Sequence, residues 1–372
     1  MSAEIRVEAV ALPRDAGRFV RAWWPIYRGD RHWVPPLIRE RKRFLDPSEN
    51  PYFATAEVQC FMAYRGRRAL GTIAATVDAE LQLREPGVGL FGFFEFVDEP
   101  AVAAALFEAA CAWLRERGMD RARGPFNFNQ NHDFGLLVDG FELDPVVGNS
   151  HNRAYYPAIY AGLELEPVMD WHAYWIEQGP VPPLIERLAA RVEGRHPELR
   201  IETMDPDDYA RGVMYFYEIF NDAWDHNWGH IPMRREEFAF LGERLQPILD
   251  PGLCFFAFIG DECVGGSIAL PDSNPVVKRM NGRLWPLGWW HALTGDRHID
   301  AMRILVLGVK QAYQHIGIGA PLYKRTWDEA LRRGYRGCDA SLVLASNRKM
   351  RGPIEKLGGR IYMTYRAFER AL

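Results

Sequence analysis

A chain of 372 residues exceeds the usual size of a single domain, so two are expected. Hydrophobic residues make up 48% and aromatics 13%, enough for buried cores, while a formal charge of −4 argues against a protein built to bind nucleic acid. The five cysteines (Cys60, Cys111, Cys254, Cys263, Cys338) form no C-x-x-C pair and residues 1–13 hold no apolar run of signal-peptide length, which fits reduced thiols in a cytoplasmic protein.

The N-terminal segment predicts a helix over about Asp15–Tyr27, then a Trp33-Val34-Pro35-Pro36-Leu37 loop and a basic stretch, Arg39–Phe44. Cys60–Ala75 reads as two strands around a turn at Gly66. The same pattern returns 194 positions later at Cys254–Ala269, turning at Gly260. Its apolar stretch could be mistaken for a membrane span, but Asp261 and Glu262 behind Gly260 mark a hairpin. Peripheral contact with a membrane stays open. A second register supports an internal repeat. Gly118 and Gly334 each end a helix, and Asn131 and Asn347 each lie 13 residues further on. The runs Arg123–Phe128 and Cys338–Leu344 between them read as strands. Pro and Gly at 178–183 break any regular element, so the expected domains are 1–178 and 179–372. The second half carries an insertion, Pro271–Asp300, whose Trp285, Trp289 and Trp290 suggest a greasy channel. The first half has its own insertion after Asn131, reaching Tyr156.

Leu305–Val309 is an aliphatic strand that runs through a short bend into Gln314-His315-Ile316-Gly317-Ile318-Gly319-Ala320 and then a helix-like segment. A glycine-spaced turn ahead of a helix gathers backbone N–H groups at the positive end of the dipole, where a pyrophosphate can bind.

Val309-x-x-x-Tyr313-Gln314-x-x-Gly317-x-Gly319, with Asn347 and Glu355-Lys356-Leu357-Gly358-Gly359 downstream, resembles the acyl-CoA-binding motif of the GNAT superfamily of N-acyltransferases. Trp33–Leu37, Gly124–Phe128 and Asn227-Trp228-Gly229 tie the chain more narrowly to a bacterial tandem-GNAT family. The resemblance implies an α/β (α+β) protein made of two tandem GNAT-like folds, with mixed central sheets flanked by helices. It implies acyl-CoA or acetyl-CoA as co-substrate and no metal. The backbone of Leu307, Gly308 and Val309 would bond the pantetheine amides. N–H groups from Gln314 through Ala320 would hold the pyrophosphate, and Asn347 would face the pantetheine or thioester. In the first half the corresponding loop is Asp98-Glu99-Pro100-Ala101-Val102-Ala103, which lacks the glycines and carries two carboxylates. Only the second half should therefore bind CoA.

The catalytic pair of the superfamily is missing: Arg303 stands where a strand Glu acts as base, and Ile354 where a Tyr protonates the thiol. His298, Asp300 and Asp272 are the substitute candidates. Asn131, Tyr156, Trp228 and Lys278 are the candidates for acceptor binding, in a cleft between the halves. His226 and His230 sit four apart but lack a third ligand, so no metal is expected. The expected activity is acyl transfer from acyl-CoA, or from an acyl carrier protein, to a small-molecule or lipid amine, with a long acyl chain or a lipid or sphingoid amine favoured over acetyl and a small amine. The competing readings are a non-catalytic acyl-CoA sensor and a Fem-like aminoacyl transferase. The absence of a concentrated basic arm speaks against the second.

Overall fold

The computed structural model describes residues 4–372 apart from 226, 286, 287, 294, 296 and 297. Its order of elements is a repeat. In the first half, β1 (Ile5–Val10), α1 (Ala16–Arg21), α2 (Trp23–Ile26) and α3 (Ile38–Phe44) precede the hairpin β2 (Ala56–Arg65) and β3 (Arg68–Asp78). Next come α4 (Ala79–Arg84), β4 (Val88–Phe96), α5 (Pro100–Arg115), β5 (Arg121–Gly124), β6 (Leu136–Asp139), α6 (Tyr156–Gly162) and β7 (Glu166–Glu177). The second half runs α7 (Pro183–Arg195), β8 (Leu199–Thr203), α8 (Tyr209–Ala223) and α9 (Arg235–Leu245), then the hairpin β9 (Cys254–Ile259) and β10 (Glu262–Pro271). After α10 (Asn274–Met280) and α11 (Gly288–Leu293) come β11 (Ala301–Val309), α12 (Gly319–Arg332), β12 (Gly337–Leu344), α13 (Arg348–Lys356) and β13 (Arg360–Ala371).

The turn glycines make the repeat a backbone fact. Gly66 and Gly260 both sit at φ +61°, and Gly118 and Gly334 at +76° and +75°, in the left-handed region that a side chain strains. The expected helix over Asp15–Tyr27 is broken into α1 and α2 at Ala22.

Two compact units emerge, and neither is a contiguous half. Unit 1 holds residues 1–171, 277–293 and 363–372; unit 2 holds 172–276 and 294–362. In unit 1 the strand beside β5 is the end of β13, with Phe368 opposite Gly124. In unit 2 the strand beside β12 is the end of β7. Each unit thus closes its sheet with the last strand of the other half of the sequence. The core of unit 1 forms under α5, whose Val102, Leu106, Ala110 and Leu114 recur every fourth residue on a fully buried face against Leu70, Ile73 and Phe91. In unit 2, Leu322 and Ile318 seal α12 onto Phe255, Ala257 and Val264.

Both units pair β4/β5 or β11/β12 in parallel for only a few rungs: Val88–Leu90 with Arg121–Arg123, and Ala301–Ile304 with Gly337–Ala340. Past those rungs the two units differ. The expected strand Arg123–Phe128 ends at Gly124, because Pro125 has no N–H to donate and Phe128 adopts φ +89°. The chain instead folds into the space beside β4. Phe126 N donates to Phe91 O (2.7 Å) and Phe93 N donates to Asn127 Oδ1 (2.7 Å). A Cβ on Gly92 would lie 1.8 Å from Phe126 O. In unit 2 nothing comparable among the described residues covers β11. Ile304, Leu305, Val306 and Leu307 stay half-buried, whereas Val88–Phe94 of β4 are buried throughout.

Gly92→Ala should therefore cost about 1–3 kcal/mol by overpacking against the Phe126 carbonyl. Urea unfolding of the variant measures it. An unchanged midpoint would show that the Phe126–Asn127 segment is not seated against β4.

Candidate functional site

Beyond Ile304 the strands β11 and β12 part, and the gap leads to the turn that starts α12. The register against β10 slips at the same place, Ile268 facing Val306 and Ala269 facing Ile304, so Leu305 is bulged out of the ladder. Bulges re-aim backbone groups near sites. The turn itself is a 3₁₀ segment, Gln311–Ile316, closed by Gly317 at φ +87°. A Cβ placed on Gly317 would meet only Val192, at 3.6 Å, and one on Gly319 only Leu307, at 3.9 Å. The glycines thus leave open surface in front of the first turn of α12, whose N–H groups have no acceptor inside the helix.

Several bonds clamp this turn. Lys310 N donates to Val264 O (2.8 Å), Gln311 N donates to Asp222 Oδ1 (2.5 Å), and Gln311 Nε2 to Asp222 O (2.8 Å). Tyr313 OH donates to Glu262 Oε2 (2.7 Å), and Lys310 Nζ lies 3.1 Å from Glu218. Gln314 turns its amide back onto Val309 O (3.2 Å), and His315 is exposed. Gly308 has no room for a side chain, because the Trp224 ring occupies that position, 2.4 Å from a Cβ. Ala320 N bonds Gly317 O (3.1 Å). Asn347 caps α13, its Oδ1 accepting from Met350 N (3.1 Å).

At the fork where the strands part lies a polar cluster that sequence reasoning did not assemble. The parallel register sets Arg303 opposite Asp339. Asp339 is fully buried (0% exposed) and Arg303 nearly so (5%), with Nε 3.6 Å from the carboxylate. Ser341 Oγ and Tyr362 OH both donate to Asp339, and Arg303 Nη2 donates to Ser341 O (3.3 Å). Burying a carboxylate costs several kcal/mol unless donors surround it, and here a guanidinium and two hydroxyls do. The sequence held a signal for it. Asp339 and Ser341 alternate with aliphatic residues on one face of a central strand, where polar side chains are rare.

The sequence-based catalytic candidates flank the start of β11, where Asp272 N donates to Ala301 O (2.9 Å). Asp300 is exposed and pairs with Arg336 (2.9 Å). Asp272 accepts from Asn274 N (3.2 Å) at the start of α10, and His298 N bonds Gly295 O (2.8 Å). Of the acceptor candidates, Asn131, Tyr156 and Lys278 belong to unit 1 and Trp228 to unit 2. Asn131 N bonds Asn129 Oδ1 (3.0 Å), within a web in which Asn129 also donates to Asp78 (2.8 Å). Lys278 pairs with Asp144 (2.7 Å) in unit 1, and Trp228 lies in the loop after α8. His226 lies outside the described residues. Among the described residues no group of His, Cys, Asp and Glu could hold a metal. Tyr156 is buried in unit 1, where Tyr156 OH (2.8 Å) and Tyr27 OH (2.6 Å) both donate to Glu95. Desolvation pushes the Glu95 carboxyl up to about 7, against the opposing pull of the two phenols.

Paired hairpins, a bulged strand parting from its parallel neighbour and a glycine turn opening a helix define a tandem GNAT fold. Solved structures agree. A tandem GNAT protein from the clavulanic acid biosynthesis pathway superposes with TM-score 0.57 at 10% identity, covering 99% of this chain and 98% of that one. A GCN5-related N-acetyltransferase from Sphaerobacter thermophilus gives 0.54 at 13%, covering 99% and 95%. No protein-family model matches the chain. Among curated proteins, the "Bacterial ceramide synthase" of Caulobacter vibrioides (strain NA1000 / CB15N) is 34% identical over 385 residues, covering 100% of this chain and 98% of its own length. "Protein YghO" of Escherichia coli (strain K12) is 30% identical over 370 residues, covering 96% and 93%. The chain belongs to the tandem-GNAT family that contains these two proteins, and it is an N-acyltransferase.

Glu95 gives the unit-1 fold a pH signature. Its folded-state value near 7 lies above the ordinary 4.5, so the folded protein holds the proton longer and stability falls as pH rises from 4.5 to 7. Above 7 the loss is complete. Glu95→Gln, which still accepts from both phenols, should gain on the wild type across that window by no more than about 3 kcal/mol, since the side chain is only half-buried. Parallel unfolding curves for the two proteins at all pH values would refute the assignment.

Proposed function

We propose that the protein transfers an acyl group from acyl-CoA to a lipid amine of the sphingoid type, and that the donor lies between β11 and β12. The observation that carries this reading is the half-exposed apolar strand Ile304–Leu307, running from the Asp339 cluster to the Gly317–Gly319 turn. In it, the backbone of Leu307 to Val309 bonds the pantetheine amides and the N–H groups from Gln314 to Ala320 hold the pyrophosphate. Residues 179–372 supply the CoA site and 1–178 a degenerate counterpart. The name of the Caulobacter relative supports the acceptor class, since a ceramide is the amide of a fatty acid with a sphingoid amine.

The chemistry needs a group that takes the proton of the attacking nitrogen and one that returns a proton to the departing thiolate. In this proposal the N–C bond forms as the C–S bond breaks. The amine proton passes to the Tyr362 oxygen while the Tyr362 proton moves to Asp339. The thiolate is protonated by the reverse of that relay. Arg303 holds the carboxylate in place.

Two measurements test this. Gly319→Asp should keep its unfolding midpoint, because a Cβ there meets only Leu307 and an acid suits a first helical turn. It should weaken CoA binding at least about 10-fold by like-charge repulsion; unchanged affinity in calorimetry would move the pyrophosphate elsewhere. Asp339→Asn should lower kcat for amine-dependent thiol release by about 100-fold or more, with CoA affinity intact. Wild-type kcat in that variant would mean that another group takes the proton.

A further inference from the structure

We propose that unit 1 docks on the surface of an anionic lipid bilayer through its 277–293 segment and the arginines of its N-terminal helices. The segment has no counterpart in the first half of the repeat. It is fastened to the N-terminal region of the same unit: Trp24 Nε1 donates to Asn281 Oδ1 (2.8 Å) and Ile38 N to Gly282 O (3.0 Å). Gly282, at φ +80°, lets the Trp24 ring come within 2.3 Å of where a Cβ would be. So anchored, the segment exposes three of its large apolar side chains: Leu284 is 41% exposed, Trp285 76% and Trp290 55%. Tryptophan is the residue that favours the headgroup region of a bilayer, with an apolar ring and one N–H.

The charges beside it are mostly positive. A surface depression of about 790 Å³ is lined by Arg18, Arg21, Arg28 and Arg68 with apolar residues, and no acid among the described residues lines it. A second, of about 420 Å³, shares Pro25 and Arg28 with the first and reaches Trp24, Asp30, Arg31, Lys278 and Asn281. The basic surface therefore runs without a break from α1 to the base of the tryptophan-bearing segment. The nearest acids are already held: Asp30 by His151 (3.1 Å) and Arg153 (3.2 Å), Asp144 by Lys278 (2.7 Å) and His32 (2.7 Å). A chain with net charge −4 that concentrates arginines next to exposed tryptophans matches an anionic headgroup layer in both its charge and its apolar part. No helix among the described residues is long and apolar enough to cross a membrane, so the contact is with the surface.

The test is independent of CoA and of turnover. Full-length protein is floated with vesicles of phosphatidylcholine alone, or with roughly a third phosphatidylglycerol. Partitioning should rise at least about 10-fold with the anionic lipid and fall in about 0.5 M salt. Trp285→Ser with Trp290→Ser, and separately Arg28→Glu with Arg31→Glu, should each lower it about 10-fold while leaving the unfolding midpoint and CoA affinity unchanged. Three results would overturn the proposal. One is absent vesicle binding, or binding that neither pair of substitutions reduces. Another is displacement by glycerol 3-phosphate or inorganic phosphate at equal affinity, which would make the arginine depression a small-ligand site. The last is a dimer, lost in Trp285→Ser, with no vesicle partitioning, which would assign the face to a second copy of the chain.

Discussion

The parting of β11 from β12 after Ile304 is the constraint on which unit 2 depends. Two central strands that stop pairing leave N–H and C=O groups facing a gap, and a buried backbone group without a partner costs about 1–3 kcal/mol. A protein can meet that cost by filling the gap with its own chain or by letting a ligand complete the ladder. Unit 1 takes the first course, and on the proposed function unit 2 takes the second. The difference is written in burial: β4 is enclosed along its length, while β11 keeps four successive apolar residues half-exposed in the middle of a sheet.

On the proposed reading, the first half is closed to CoA twice over. Volume is one bar, because Phe126 and Asn127 bond directly to β4 where a pantetheine arm would run. Charge is the other. Glu99, at the cap of α5, is gripped by both terminal nitrogens of Arg65 (3.2 and 2.6 Å) and its carboxyl lies below the ordinary range, so it stays ionised. A pyrophosphate at the start of α5 would face that charge with Pro100 in place of an N–H donor. The helix dipole is the same in both units. Only the residues in front of it decide whether an anion is welcome.

What the sequence made legible was what glycine enforces locally. Gly66, Gly260, Gly118, Gly334 and Gly317 all require φ above zero, so the hairpins, the helix stops and the phosphate-type turn could be placed without tertiary information. Features set by distant partners could not. A strand such as β13 looks the same whether it closes its own half or the other one, because β-propensity says nothing of its neighbour. The end of β5 depended on Pro125 and on a non-glycine residue, Phe128, in left-handed backbone. Trp285 and Trp290 carry the same hydrophobic signal inside a channel or on a surface. Asp339 was passed over because its partners, Arg303 and Tyr362, are 36 and 23 residues away and meet it only when three strands align.

That alignment changes the meaning of the missing glutamate. The position where the superfamily carries its glutamate base is Arg303, and on sequence alone that loss motivates the competing reading of a protein that binds acyl-CoA without using it. The parallel register pairs Arg303 with Asp339, one strand away, a separation of about 4.8 Å between backbones. A carboxylate therefore remains at the same height in the fork, carried by β12 instead of β11, and the vacated position on β11 supplies the cation that compensates its burial. The exchange leaves a paired, net-neutral cluster with hydroxyls from Ser341 and Tyr362 attached. A sensor would gain nothing from burying such a cluster at the fork, where the cost of a desolvated charge must be offset by surrounding donors. On the proposed reading, Asp339 is the acyltransferase's fixed proton acceptor.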